Sequence, residues 1–163
     1  RAVCESSRCD DIALYTGNDD NIVNDLLSTY KFSVNNKPVT KDIVGGLLGH
    51  WAVWTNKAVE LLDKIKKAKK SGSTLPKELL TLNLAVTDSN AAFFDSANNF
   101  HGCIAGIHEV LYRQGILKGI WCLDENEGLS KGQKEEIDRV YRDYPELNDD
   151  DFIRSNIEKW MVD

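Results

Sequence analysis

The segment Asp11–Asp20 constrains this chain most. Its apolar run, Ile12-Ala13-Leu14-Tyr15, ends at Thr16-Gly17, and Asn18, Asp19 and Asp20 lead straight into a helical pattern of Ile22, Val23, Leu26 and Leu27. A short continuous apolar run closed by turn residues fits a strand buried on both faces. Glycine at such a turn lets backbone approach a ligand, and Asn or Asp there can cap the following helix. In α/β proteins, ligands bind at this corner, outside the carboxyl end of a parallel strand.

A second unit follows. Asp42-Ile43-Val44-Gly45-Gly46-Leu47-Leu48 is another apolar run, and Gly49-His50 introduces a long amphipathic stretch. Strand, helix, strand, helix at this spacing predicts parallel pairing in a βαβ arrangement. The rest of the chain reads as helix or connector, which leaves two strands, about 12–16 and 43–47, as the sheet. Asn35-Asn36, between Phe32-Ser33-Val34 and Lys37-Pro38-Val39, carries the signature of a small hairpin turn.

The remaining pattern is helical. Residues 1–9 read as the tail of a helix with Ala2, Val3 and Cys4 inward, and a first full helix is expected over about Asp19–Thr29. Trp51, Trp54, Ala58, Leu61, Leu62 and Ile65 recur at three and four to about Lys70, before Ser71-Gly72. A helix opening near Pro76 carries apolar residues on more than one stripe and breaks at Asn98-Asn99. Gly102–Leu111 continues as a helix closed by Gly115. Ile116–Leu129 is a connector, Ser130 with Gln133 forms a capping box, and Asn148-Asp149-Asp150-Asp151 starts the last helix.

A net charge of −6 argues against a nucleic-acid partner, which would need a basic stripe. The basic run Lys64–Lys70 closes a helix and suits its dipole. No apolar window approaches the roughly 20 residues that span a bilayer, and no signal peptide opens the chain. Cys4, Cys9, Cys103 and Cys122 form no C-x-x-C pair, so no zinc is expected, and all four read as reduced in a cytoplasmic protein, a Cys4–Cys9 disulfide being the competing reading. No P-loop, G-x-S-x-G or H-E-x-x-H is present, and no cofactor is expected.

In their order, Ile12–Asp20 (ending LYTGNDD), Asp42–Gly49 (DIVGGLLGH), Cys103–Gly115 (IHEVLYRQG) and Leu123–Val140, with its LS-x-G-Q helix start, resemble the C-terminal half of the dihydrodipicolinate synthase / N-acetylneuraminate lyase family. The resemblance implies an α/β fold: the C-terminal part of a (β/α)8 TIM barrel. Its seventh and eighth strands and their helices would occupy residues 1–72, and a helical extension residues 73–163. Family members form a Schiff base between a lysine and a 2-oxo acid, usually pyruvate. On this match the lysine precedes Arg1, and Lys31, Lys37 and Lys41 do not replace it. The chain alone is then expected to be inactive.

The same match assigns a pocket wall. Gly17 lines the substrate pocket beside Asn18, and Asp19 and Asp20 accept hydrogen bonds from substrate hydroxyls. Gly45, Gly46 and Leu47 form the pocket-facing end of the second strand, and His50 stands at the mouth. For Asp19 and Asp20 the competing reading is helix capping; for Gly45-Gly46 it is close strand–helix packing; for His50 it is capping or packing. His101 and His108 read as structural, and the four tryptophans as core or subunit-contact anchors. Two parallel strands alone leave apolar faces and edges open, so the chain is expected to need either its N-terminal barrel portion or a second copy. The other function class is a non-catalytic helical interaction or assembly module.

Overall fold

The computed structural model describes residues 1–46, 49–72 and 74–161. It is helix-rich with a small mixed sheet. Strand β1 (Leu14–Thr16) lies parallel to β3 (Lys37–Gly46), with Leu14 opposite Ile43 and Thr16 opposite Gly46. A register shift between Leu14 and Tyr15 marks a bulge. Strand β2 (Thr29–Val34) pairs antiparallel on the far side of β3, from Thr29–Asp42 to Val34–Lys37.

The parallel pairing is as expected, but the two-strand sheet is corrected to three. Asn35 (φ 51°) and Asn36 (φ 61°) form a tight two-residue turn whose handedness suits a hairpin. The hairpin continues without a break into the apolar run, so β3 is longer than either piece expected. Pro38 is tolerated there because β1 pairs with β3 only from Ile43 on, leaving this stretch of β3 an edge. The strands are not buried on both faces: Tyr15 is 61% and Val44 49% exposed. Leu47 and Leu48 lie outside the described residues.

Seven helices complete the chain among the described residues. They are α1 (Ala2–Glu5), α2 (Ile22–Leu27), α3 (Thr55–Ser71), α4 (Glu78–Phe94), α5 (Cys103–Arg113), α6 (Gln133–Asp143) and α7 (Asp150–Trp160). Helix α2 is shorter than expected at both ends: Asn21 is its N-cap and Thr29 already belongs to β2. Helix α3 starts after Trp51, which falls in a short 3-10 turn, Gly49–Trp51. It ends at Gly72, whose φ of 62° forms a left-handed cap. Near that end Lys69 donates to the carbonyls of Leu26 and Ser28 and pairs with Asp42 at 3.2 Å, so part of the basic run ties α3 to α2 and β3.

One core joins both halves of the chain. Ile22, Val23 and Leu26 of α2 belong to the same buried cluster as Val86 and Phe93 of α4, Val110 of α5 and Ile137 of α6. Trp54 is its largest member and meets Phe93 edge-on at 4.8 Å and Tyr141 at 5.0 Å. Helix α4 buries most of its circumference, as its several stripes implied, but Leu80 and Leu84 face solvent, and it stops at a left-handed Asp95, before Asn98. Of the tryptophans, expected as core or subunit-contact anchors, Trp54 is core, whereas Trp121 and Trp160 are exposed.

Candidate functional site

The carboxyl ends of β1 and β3 lie side by side, which brings the two sequence motifs to one corner. Thr16 is buried there. Its hydroxyl donates to Asp25 Oδ2 at 2.9 Å and accepts the Asn18 N–H at 3.1 Å, while Asn18 Nδ2 reaches the same carboxylate at 3.3 Å. Gly17 and Asn18 are exposed. Gly45 is buried under the Tyr15 ring: a Cβ on Gly45 would stand 3.0 Å from it. Gly46 is approached by Ile22 of α2 and by Trp51, with 2.7 Å and 2.6 Å to a Cβ placed there, so it also serves close strand–helix packing.

Asp19 is half-buried and Asp20 exposed. Neither caps α2, since Asn21 occupies the N-cap. The Asp19 carboxylate lies against Gly49, where a Cβ would come within 2.2 Å of Oδ1. Gly49 has φ 51°, so glycine suits it on both steric and backbone grounds. Asp19 Oδ1 is buried with no hydrogen-bond partner among the described residues. Burial, and secondly the Asp20 charge, push its carboxyl above the ordinary value. The expected contacts of Leu47 and of the His50 side chain lie outside the described residues.

Helix α4 supplies residues the sequence reading missed. Asn90 Nδ2 donates to the Asp19 carbonyl at 3.1 Å, Thr87 Oγ1 to the Asp20 carbonyl at 2.8 Å, and Asn83 Oδ1 accepts the Asn24 N–H at 3.3 Å. These three residues form a polar stripe at helical spacing that fixes the corner and the first turn of α2. Asn90 is 3% exposed, and its Oδ1 has no partner among the described residues. The legible signal was two asparagines, seven apart, with Thr87 between them, in a helix that buries most of its circumference.

Other chemistry-bearing groups lie elsewhere. Lys31 stands opposite Thr40 and Lys41 opposite Tyr30 in the hairpin, and Lys37 opens β3, away from the corner at Thr16 and Gly46. Lys41 Nζ donates to the Cys9 carbonyl. His101 is exposed beyond α4, and His108 lies within α5. The Cys103 thiol is pushed up by burial and then by the Asp19 and Asp95 charges. Among the described residues, no three His, Cys, Asp or Glu side chains converge as a metal site would, and no helix is long and apolar enough to cross a membrane.

No family model, curated protein or solved structure was found to match this chain.

Proposed function

We propose that this chain is the C-terminal portion of a Schiff-base aldolase or lyase resembling the dihydrodipicolinate synthase / N-acetylneuraminate lyase family, acting on a 2-oxo acid such as pyruvate. It supplies pocket wall and helical extension, and the lysine nucleophile comes from a strand upstream. The observation that carries this reading is the parallel register from Leu14–Ile43 to Thr16–Gly46, which opens both motifs at one corner with the Asp19 carboxylate beside it.

In this reading β1 and β3 are the seventh and eighth strands of a (β/α)8 barrel, and the helices from α4 onward are the extension. The hairpin is compatible with closure: β2 stops opposite Asp42, so Ile43–Gly46 keep one edge unpaired among the described residues, where a first barrel strand would lie. The outer edge of β1 is likewise open to a sixth strand. At the corner, a carboxylate with a buried unpaired oxygen accepts a substrate hydroxyl, a charged hydrogen bond worth roughly 1.5–3 kcal/mol.

The test is borohydride trapping with pyruvate. The isolated chain should form no adduct, because it lacks the nucleophile. The complete gene product should form one on a lysine upstream of Arg1. An adduct on Lys31, Lys37 or Lys41, or no adduct on the complete protein, contradicts the reading. A second reading, a helical assembly module without chemistry, is favoured by exposed Leu84 (69%) and Trp121 (73%).

A further inference from the structure

Beyond the corner, three elements line a partly open cavity of about 360 Å³. They are the turn entering α3, the end of α5 and one face of α7. Its size falls in the range of small-molecule sites, roughly 300–1,000 Å³. Its walls are mainly apolar. Two large aromatic side chains, Phe152 and Trp160, line it while remaining 42% and 51% exposed. Their rings stand 5.7 Å apart, tilted by 54°.

The cavity also has a charge. Asp149 lines it and is 3% exposed. Its oxygens accept the Asn56 N–H at 3.0 Å and Gln114 Nε2 at 2.8 Å, and the same Gln114 nitrogen reaches Asp150 Oδ1 at 2.9 Å. Two neighbouring carboxylates therefore share one neutral amide. Neither has a cationic side-chain partner among the described residues, although Arg113, Arg139 and Arg154 all pair with other acids. Burial pushes the Asp149 carboxyl up against the Asn56 and Gln114 bonds, with the Asp150 charge adding to it, so a cation in the cavity would relieve a desolvated charge.

We propose that this cavity is a binding site for a small alkylated ammonium ion, held over the Trp160 and Phe152 rings and facing the Asp149 carboxylate. Aromatic faces attract cations electrostatically, most strongly when the cation is weakly hydrated, as a quaternary ammonium is. A phosphate or carboxylate ligand would meet like charge. An uncharged apolar ligand would gain the walls but leave the carboxylates without a counter-charge. The inference is independent of the chemistry at the strand ends.

The test is titration of the full 163-residue chain with choline, followed by calorimetry and tryptophan fluorescence. The control is 3,3-dimethyl-1-butanol, choline's uncharged carbon analogue. Choline should bind saturably, and at least about tenfold more tightly than the neutral analogue, a factor equivalent to one cation–π contact of ordinary strength. Trp160→Ala, at an exposed position, should weaken choline by a similar factor with an unchanged far-UV spectrum. Asp149→Asn should weaken choline and not the neutral analogue; if that variant fails to fold, Trp160→Ala with the analogue still decides. No saturable choline binding, equal binding of the two ligands, or an unaffected Trp160→Ala overturns the proposal.

Discussion

Helix α4 meets polar partners on two sides, and the two junctions are built differently. Toward the strand ends, Thr87 and Asn90 hold the backbone of Asp19 and Asp20, and two acceptors, Asp19 Oδ1 and Asn90 Oδ1, are buried without partners among the described residues. Toward α6, the network closes. Arg139 grips Asp88 with two bonds of 2.7 and 2.9 Å while Tyr144 donates to the same carboxylate at 2.7 Å. Two turns on, Asp95 accepts from Gly102 N–H, Ser130 Oγ and Asn98 Nδ2, and Gln133 Nε2 serves the carbonyls of Phe93 and Gly102. A satisfied buried network holds the fold in one arrangement, whereas unsatisfied acceptors cost stability unless a ligand supplies donors.

The electrostatics divide the same way. The Asp88 carboxyl is held below its ordinary value chiefly by Arg139, against some burial. At Asp95, burial pushes up, but bonds from Asn98, Ser130 and Gly102 outweigh it and the carboxyl ends low. Asp19 goes the other way, raised by burial with no donor to offset it.

The largest expected effect lies in the closed junction. Gln133→Ala leaves Ser130 N–H and the Gly102 and Phe93 carbonyls without their buried partner, and it should cost about 3 kcal/mol in chemical denaturation. A loss below about 0.5 kcal/mol would mean that the junction is no better satisfied than the corner.

Next is Asp88→Asn. Because the folded-state pKa of Asp88 is depressed, its stabilisation is complete above the ordinary carboxylate value of about 3.9 and is lost as pH falls through the depressed value. The substitution should lower stability near neutral pH by about 1–2 kcal/mol and flatten the acid limb of the stability profile. An unchanged acid limb would remove Asp88 from the comparison.

The smallest effect is expected from Asp19→Asn, and its sign is opposite. A raised carboxyl contributes most below the ordinary value, and its contribution declines as pH rises through the raised one. Removing the charge should therefore leave stability near neutral pH unchanged or slightly higher, with no gain in acid. In the complete enzyme of the proposed reading, the same substitution should raise KM. A clear loss of stability without a change in KM would make Asp19 a structural residue like Asp88.

How these regions were legible in sequence follows from range. The parallel pairing, the Asn35-Asn36 turn and the Gly72 stop are written in local pattern and spacing. The capping box is corrected: Gln133 Oε1 does accept the Ser130 N–H at 3.0 Å, but the N-cap of α6 is Gly132, and the Ser130 hydroxyl turns to Asp95, thirty-five residues earlier. Asp19 was legible as a residue of the corner. Asn90, seventy-one residues on, was not, because a hydrogen bond between distant elements leaves no local period. The hairpin was read from its turn but not joined to the sheet, because Lys37–Lys41 is polar and Pro38 separates it by composition from the apolar run that completes β3.

The most direct test of the contrast between open corner and closed junction is a carbon-13 NMR titration of the Asp19 and Asp88 carboxyl carbons in one sample. The expected result is an Asp19 midpoint above about 3.9 and an Asp88 midpoint below it. An Asp19 midpoint at or below that of Asp88 would show that the corner is already satisfied within the chain, and would contradict its assignment as the ligand-binding end of the strands.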